Sequence, residues 1–160
     1  MYGIGGLTSH EALAHHLQVV EDLRPTIIFL QLGPNDLCSN HFSVEQIANN
    51  IVELCRRFIN LGVRRVMIGQ VLGRHDAGIP SRVPHFNSRV VRLNIELSFA
   101  VRRGRVPVFL WRHHGFWQSR FNLLLDDGVY FNHRGNRRYY RSVRGAILFA
   151  TTSLRRHPHI

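Results

Sequence analysis

The chain has 160 residues, of which 44% are hydrophobic, so it is long and apolar enough for one compact domain with a core. No run of about 18 apolar residues predicts a membrane span, and no secretory signal pattern is present, so an intracellular location is the default expectation. The formal net charge is +11, and all 21 basic residues are arginine. A basic surface attracts phosphate, so we keep nucleic acid as a candidate partner, although the arginines are scattered in pairs without a known nucleic-acid-binding motif.

Apolar runs and helical periods alternate along the first half of the chain. Residues 8–11 read as a capping box, which predicts a helix that stops before Pro25. Residues 26–32 are almost continuously apolar, as is typical of a strand buried on both faces. Ser43 with Gln46 predicts the cap of a second helix. A second strand is expected within residues 63–71, followed by a loop.

The second half repeats the alternation. Apolar residues from Val90 to Val101 lie on one face of a third helix, which we expect Gly104 to end. Residues 106–110 predict a third strand, and the last helix should run from about residue 135 to residue 154. Strands alternating with helices favour an α/β fold with a parallel sheet covered on both faces. We expect one domain over residues 1–160, without a linker.

Three features should lie at the carboxyl ends of the strands, where open parallel sheets bind ligands. The first is a glycine turn at residues 3–8, which includes Gly6 and leads into a helix. The second is Asn35, in a turn directly after the first predicted strand, where a side-chain amide can donate to a developing oxyanion. The third is the segment 126–135, which carries Asp127 just before the last helix. Each feature alone is as well explained by a connector, a turn or a helix cap.

In this order and spacing the three features resemble blocks II, III and V of the SGNH hydrolases, the GDSL-like esterases and lipases. Residues 110–117 and 137–147 are similar to SGNH-like domains of animal proteins, some of them associated with retrotransposon-type reading frames. The resemblance implies a three-layer α/β/α, flavodoxin-like fold with an incomplete parallel sheet. It implies acyl transfer without a cofactor, on a small ester or acyl ligand. Gly6 and Asn35 would then contribute to the oxyanion hole, and Asp127 would be the aspartate of the family's Asp-x-x-His motif.

Two parts of the family's machinery do not carry over. The sequence contains no Gly-Asp-Ser nucleophile motif, and the match begins inside block II. Tyr130 stands where the family has its catalytic histidine, and tyrosine is a poor base at neutral pH. Loss of triad members lowers acyl-transfer rates by orders of magnitude. We therefore predict an esterase-like domain with impaired catalysis; the alternatives are a non-catalytic module that binds a ligand or nucleic acid, and a fragment of an active hydrolase with a missed N-terminal exon.

Other residues near the predicted site are weaker candidates. His113, His114 and His133 lie close to the carboxyl edge, but loop histidines are usually surface residues or satisfied neighbours. Serine residues near the site do not lie on a sharp strand-to-helix turn, and no histidine spacing predicts a metal site. In the family fold the first strand lies inside the sheet. Without it the strand at residues 26–32 would have an unpaired apolar edge, and we expect the isolated chain to be poorly stable or incomplete.

Overall fold

The structure, a computed structural model, describes residues 7–119 and 122–156. Apart from the short helix Phe116–Ser119, its helices and strands follow one another as predicted from the sequence. They are α1 (Ala12–Leu23), β1 (Ile27–Leu30), α2 (Val44–Asn60), β2 (Arg65–Gly69), α3 (Phe86–Gly104), β3 (Val108–Trp111), the short α4 (Phe116–Ser119) and α5 (His133–Arg156). Within the described ranges, no helix is both long and apolar enough to cross a membrane.

The three strands form one parallel sheet in the order β1-β2-β3. Ile28 lies opposite Val66, which in turn lies opposite Val108. This confirms the predicted α/β fold with a short parallel sheet. The third strand begins two residues later than predicted because the Val108 N–H donates back to the Val106 carbonyl, at 2.7 Å, in a tight turn.

Helices cover both faces of the sheet. On one face, α1, α2 and α3 share a large apolar core with alternate strand residues such as Val66 and Ile68. On the other face, α5 packs through Ala146 and Ala150 against Met67 and its neighbours on β1 and β3. Successive side chains of a strand point to opposite faces, so strand residues between these two layers are mostly apolar. Arg65, at the start of β2, is a buried exception.

The outer strand β1 is entirely apolar but much less covered than β2. All five residues of β2 are buried, whereas all four residues of β1 are partly exposed. In the described part of the chain, no strand pairs with the outer edge of β1. Leu23, at the end of α1 beside this edge, is 65% exposed. The unpaired edge expected from the sequence is therefore present in these residues.

Helix termini follow the local signals closely. Ser43 and Gln46 form the predicted capping box of α2, with N···O distances of 2.8 and 3.1 Å. Thr8 and Glu11 exchange the hydrogen bonds of the predicted capping box, but in the turn before α1. The helix itself begins at Ala12, and its N-cap residue, Glu11, makes no side-chain cap bond. α3 ends at Gly104, as predicted, and the next residue, Arg105, adopts the left-handed conformation that stops the helix.

Candidate active site

An apolar cleft of about 560 Å³ runs along the outer edge of β1, between α1 and α5. Val19 and Leu23 of α1 line one side, and Tyr139 and Val143 of α5 line the other. At the carboxyl end of β1 the cleft reaches Asn35. The cleft thus ends at the position where parallel sheets present their functional groups.

Gly33 sets the turn that places Asn35 at this end of the cleft. Its φ of +114° is unfavourable for other residues, and a Cβ there would lie 3.0 Å from both Leu93 Cδ2 and Val71 Cγ2. The Asn35 side chain donates one N–H to the Leu7 carbonyl, at 3.1 Å. A carboxamide nitrogen carries two N–H groups, so the second can donate to a ligand oxygen.

Next to Asn35, the buried carboxylate of Asp36 holds the segment before α1. It accepts the Ser9 hydroxyl at 2.6 Å and the Ser9 backbone N–H at 2.9 Å. Burial raises the pKa of Asp36, and the hydrogen bonds from Ser9 oppose that rise. Ser9 is completely buried, so its hydroxyl serves this contact and is not presented to the cleft.

Asp127 lies in the turn before α5 and accepts hydrogen bonds from the two residues that close this turn. Its Oδ1 accepts the backbone N–H groups of Val129, at 2.8 Å, and Tyr130, at 3.0 Å. These two bonds lower the pKa of Asp127, the Val129 bond most. Tyr130 is 69% exposed. His133 is the exposed first residue of α5.

The structure brings only part of the predicted site together. Asn35 lines the cleft, whereas the described lining residues include none from the segment 126–135. This segment is connected to the cleft through aromatic rings. Phe131 packs on Tyr139 with centroids 5.4 Å apart, and the Tyr139 hydroxyl donates to Gln31 Oε1 at 3.3 Å. Gly6 lies outside the described residues.

A buried polar network near the cleft was missed by sequence reasoning. His113 is 1% exposed, and its Nδ1 lies 2.9 Å from Ser142 Oγ. Its Nε2 lies 3.1 Å from Gln31 Oε1, and Trp111 Nε1–H donates to Ser142 Oγ at 3.0 Å. Only the position of His113 after the third strand signalled a role at this edge.

The partners of this network define its proton positions. Gln31 Nε2 donates to the Gln70 carbonyl, which leaves Gln31 Oε1 as an acceptor for the His113 Nε2–H. His113 Nδ1 is then the bare nitrogen, and it accepts the Ser142 hydroxyl. Burial lowers the pKa of His113 to about 4, so the ring is neutral at physiological pH. Ser142 and His113 resemble a nucleophile and base in type, but here an amide replaces the orienting carboxylate and the histidine is buried.

Metal binding has no structural support in the part of the chain that is described. There, no three histidine, cysteine, aspartate or glutamate side chains are grouped so that they could hold a metal ion.

Comparison with known families decides the assignment. A family model described as GDSL-like Lipase/Acylhydrolase matches residues 1–138. The chain belongs to this GDSL-like lipase/acylhydrolase family. The resemblance based on the glycine turn at residues 3–8, Asn35 and the segment 126–135 is thereby confirmed at the level of the family.

Solved structures agree with the GDSL-like fold. A putative acylhydrolase from Bacteroides fragilis is 19% identical, with a TM-score of 0.74 over 93% of this chain and 74% of that one. A GDSL-like lipase from Bacteroides thetaiotaomicron is 18% identical, with a TM-score of 0.76 over 93% and 75% of the two chains. A carbohydrate esterase family 3 protein from Talaromyces cellulolyticus is 15% identical, with a TM-score of 0.74 over 92% and 70%. At these identities the likeness supports the fold alone, and a search of curated proteins gave no match.

Proposed function

We propose that this chain is a GDSL-like esterase domain with impaired catalysis, which binds a small ester or acyl group beside Asn35 and does not turn it over efficiently. One observation carries the proposal: the apolar cleft has an amide donor at its end, but the acid and base groups near it are not arranged for ester hydrolysis. Acyl chains need an apolar wall, and an ester carbonyl needs a hydrogen-bond donor at one end of it.

The cleft supports the binding part of the proposal. Its walls from α1 and α5 are mainly apolar, and Asn35 keeps one amide N–H for a carbonyl or carboxylate oxygen. The family match supports an ester or acyl compound as the class of ligand.

The surroundings of Asp127 support the proposed impairment of catalysis. Its carboxylate already accepts two backbone N–H groups, and the exposed Tyr130 stands where the family has its histidine. The buried His113 directs both ring nitrogens into the protein. A base that is committed to internal hydrogen bonds does not activate a nucleophile for an outside substrate.

Two measurements test the proposal. Hydrolysis of p-nitrophenyl acetate tests the catalytic impairment, and NMR of the Gly33 and Val143 amides during titration with butyrate tests ligand binding. We expect the wild-type chain to hydrolyse the ester at the rate of buffer and to show saturable butyrate shifts at Gly33 and Val143. Asn35→Ala should abolish those shifts, whereas the matched variant Asn50→Ala, on α2, should keep them.

Clear turnover by the wild-type chain that Asn35→Ala removes would disprove the impairment. Absence of saturable shifts at Gly33 and Val143 would disprove the ligand cleft.

A second candidate is an active hydrolase whose serine-bearing segment lies outside residues 1–160. The open edge of β1 next to Asn35 favours it, because a further strand there would end beside the amide. A Gly-Asp-Ser codon run in frame upstream in the gene would identify such a segment. In the extended protein, Tyr130→His should then raise ester turnover; equal turnover with tyrosine and histidine would disprove the role given to this position.

A further inference from the structure

Four arginines lie on the side of α5 that points away from the sheet: Arg134, Arg137, Arg141 and Arg144. We call this surface the arginine face. All four side chains are exposed. Their spacings of three and four residues place them within an arc of about 80° on the helix surface. The helix contains no acidic residue along its whole length.

These four guanidinium groups have no carboxylate partner among the described residues. The ion pairs that the structure does contain involve other arginines, on α2 and α3, with Glu53 and Glu45. The carboxylates closest in sequence are Asp126 and Asp127, which precede the helix, and Asp127 is occupied by backbone N–H groups. The positive charge of the arginine face is therefore available to an external anion.

We propose that the arginine face of α5 binds the phosphate backbone of a nucleic acid. Arginine matches phosphate geometry with two parallel N–H donors, and a row of four over about 15 Å of helix can contact several successive phosphates. A helix with its side chains is about 10–12 Å wide, close to the width of the DNA major groove. Tyr140, 52% exposed between Arg137 and Arg141 in sequence, offers a ring for an unpaired base.

The same surface is less suited to a membrane. Helices that lie in the bilayer interface need a large apolar face to insert. Over the span of the arginine face, the other exposed side chains of α5 include Asn136 and Tyr140, which are polar or amphipathic. The exposed apolar side chains of Leu148 and Phe149 come about one turn later. The opposite side of α5 is already packed on the sheet through Ala146 and Ala150. The inference is independent of ester binding, because the cleft lies on another side of this helix, at Tyr139 and Val143.

The inference can be tested by fluorescence anisotropy. A labelled DNA duplex and a labelled single strand are each titrated with the whole chain at several salt concentrations. Four phosphate contacts predict a slope of log affinity against log salt of about −3 to −4 on the duplex, or a loss of about 100-fold between about 50 and 200 mM salt. The double variant Arg137→Gln, Arg141→Gln should reduce the slope by about 2, because each arginine neutralises one phosphate. The lysine double variant, Arg137→Lys with Arg141→Lys, keeps the charge and should keep most of the slope.

The matched control is Arg102→Gln with Arg103→Gln, which removes the same charge from exposed positions on α3, across the sheet. It should leave the slope close to that of the wild type. If both glutamine double variants reduce the slope equally, the binding depends on net charge alone and the inference is overturned. Binding to phosphatidylserine vesicles without binding to either nucleic acid would overturn it in favour of a membrane, and so would no binding to nucleic acid at the lowest salt.

Discussion

His113 Nδ1 and Ser142 Oγ lie 2.9 Å apart, and this hydrogen bond joins the carboxyl end of β3 to the middle of α5. Gln31 extends the connection to the end of β1 through His113 Nε2. A buried polar group left unpaired is costly, so this network fixes how α5 sits on the sheet. The polar groups that resemble catalytic ones therefore have a structural role at the edge where the candidate site lies.

The stability of the domain should depend on pH through His113. Burial lowers its pKa to about 4, below the ordinary value of about 6.5, so the unfolded chain binds the proton more readily. The free energy of unfolding should therefore be at its full value above about pH 6.5. As the pH falls towards 4 and the unfolded chain takes up the proton, it should decrease by up to about 3 kcal/mol. Urea unfolding at about pH 7 and about pH 4.5 measures this loss.

The control separates His113 from the other titrating groups. His113→Gln should lower the overall free energy of unfolding but shrink its change between the two pH values, whereas His114→Gln, at an exposed position, should leave that change as in the wild type. The same pH dependence in wild type and His113→Gln would show that other groups are responsible.

Ser142→Ala tests whether the hydroxyl is structural. Its loss leaves Trp111 Nε1–H and His113 Nδ1 without their partner, so the free energy of unfolding should fall by about 1–3 kcal/mol. Thermal unfolding provides the measurement. The matched change on the same helix, Thr152→Ala, removes an exposed hydroxyl that bonds its own helix and should cost less than about 0.5 kcal/mol. A loss of ester hydrolysis in Ser142→Ala without a change in stability would instead identify Ser142 as a nucleophile.

Much of the fold could be predicted because its signals are local. The apolar run of β1, the capping box at Ser43 and the turn at Gly33 each lie within a few residues, so the sequence alone specifies them. The position of Asn35 near the carboxyl end of β1 could be predicted for the same reason, because it lies in the turn that follows the apolar run. Boundaries were predicted less well: the start of β3 depends on a turn at Val106 that the apolar pattern does not reveal.

The polar network could not be predicted because its members are far apart in sequence. His113 is 82 residues from Gln31 and 29 residues from Ser142, and only the packing of α5 on the sheet brings them together. The hydrogen bonds of Asp127 were equally hidden. A carboxylate before a helix has the same sequence pattern whether or not it accepts backbone N–H groups, as it does here from Val129 and Tyr130.

Asp36 should be essential for the position of the segment before α1. Its carboxylate satisfies two buried donors of Ser9, so Asp36→Ala should lower the free energy of unfolding by about 2–5 kcal/mol. Asp36→Asn keeps an acceptor and carries no buried charge, so it should cost much less at neutral pH. Urea unfolding of both variants measures the difference. Equal losses would mean that the charge of Asp36, and not its acceptor oxygens, stabilises the domain.

The unpaired outer edge of β1 should affect the rate at which its backbone amides exchange with solvent. The Thr26 carbonyl accepts the Arg65 N–H at 3.3 Å, and Ile27 lies opposite Arg65 in the register. Along a parallel strand the backbone groups of successive residues point to alternate sides. The N–H groups of Ile27 and Phe29 therefore point away from β2, towards the open cleft.

Hydrogen exchange followed by NMR should find Ile27 and Phe29 exchanging at least about ten-fold faster than Ile28 and Leu30, whose N–H groups point to β2. The comparison is internal, because all four residues share one strand and one level of partial exposure. Unpaired edges also associate, so protection of Ile27 and Phe29 should rise with protein concentration if two copies pair through them. Equal and concentration-independent protection of all four amides would show that the edge is covered within a single chain, contrary to the open cleft described above.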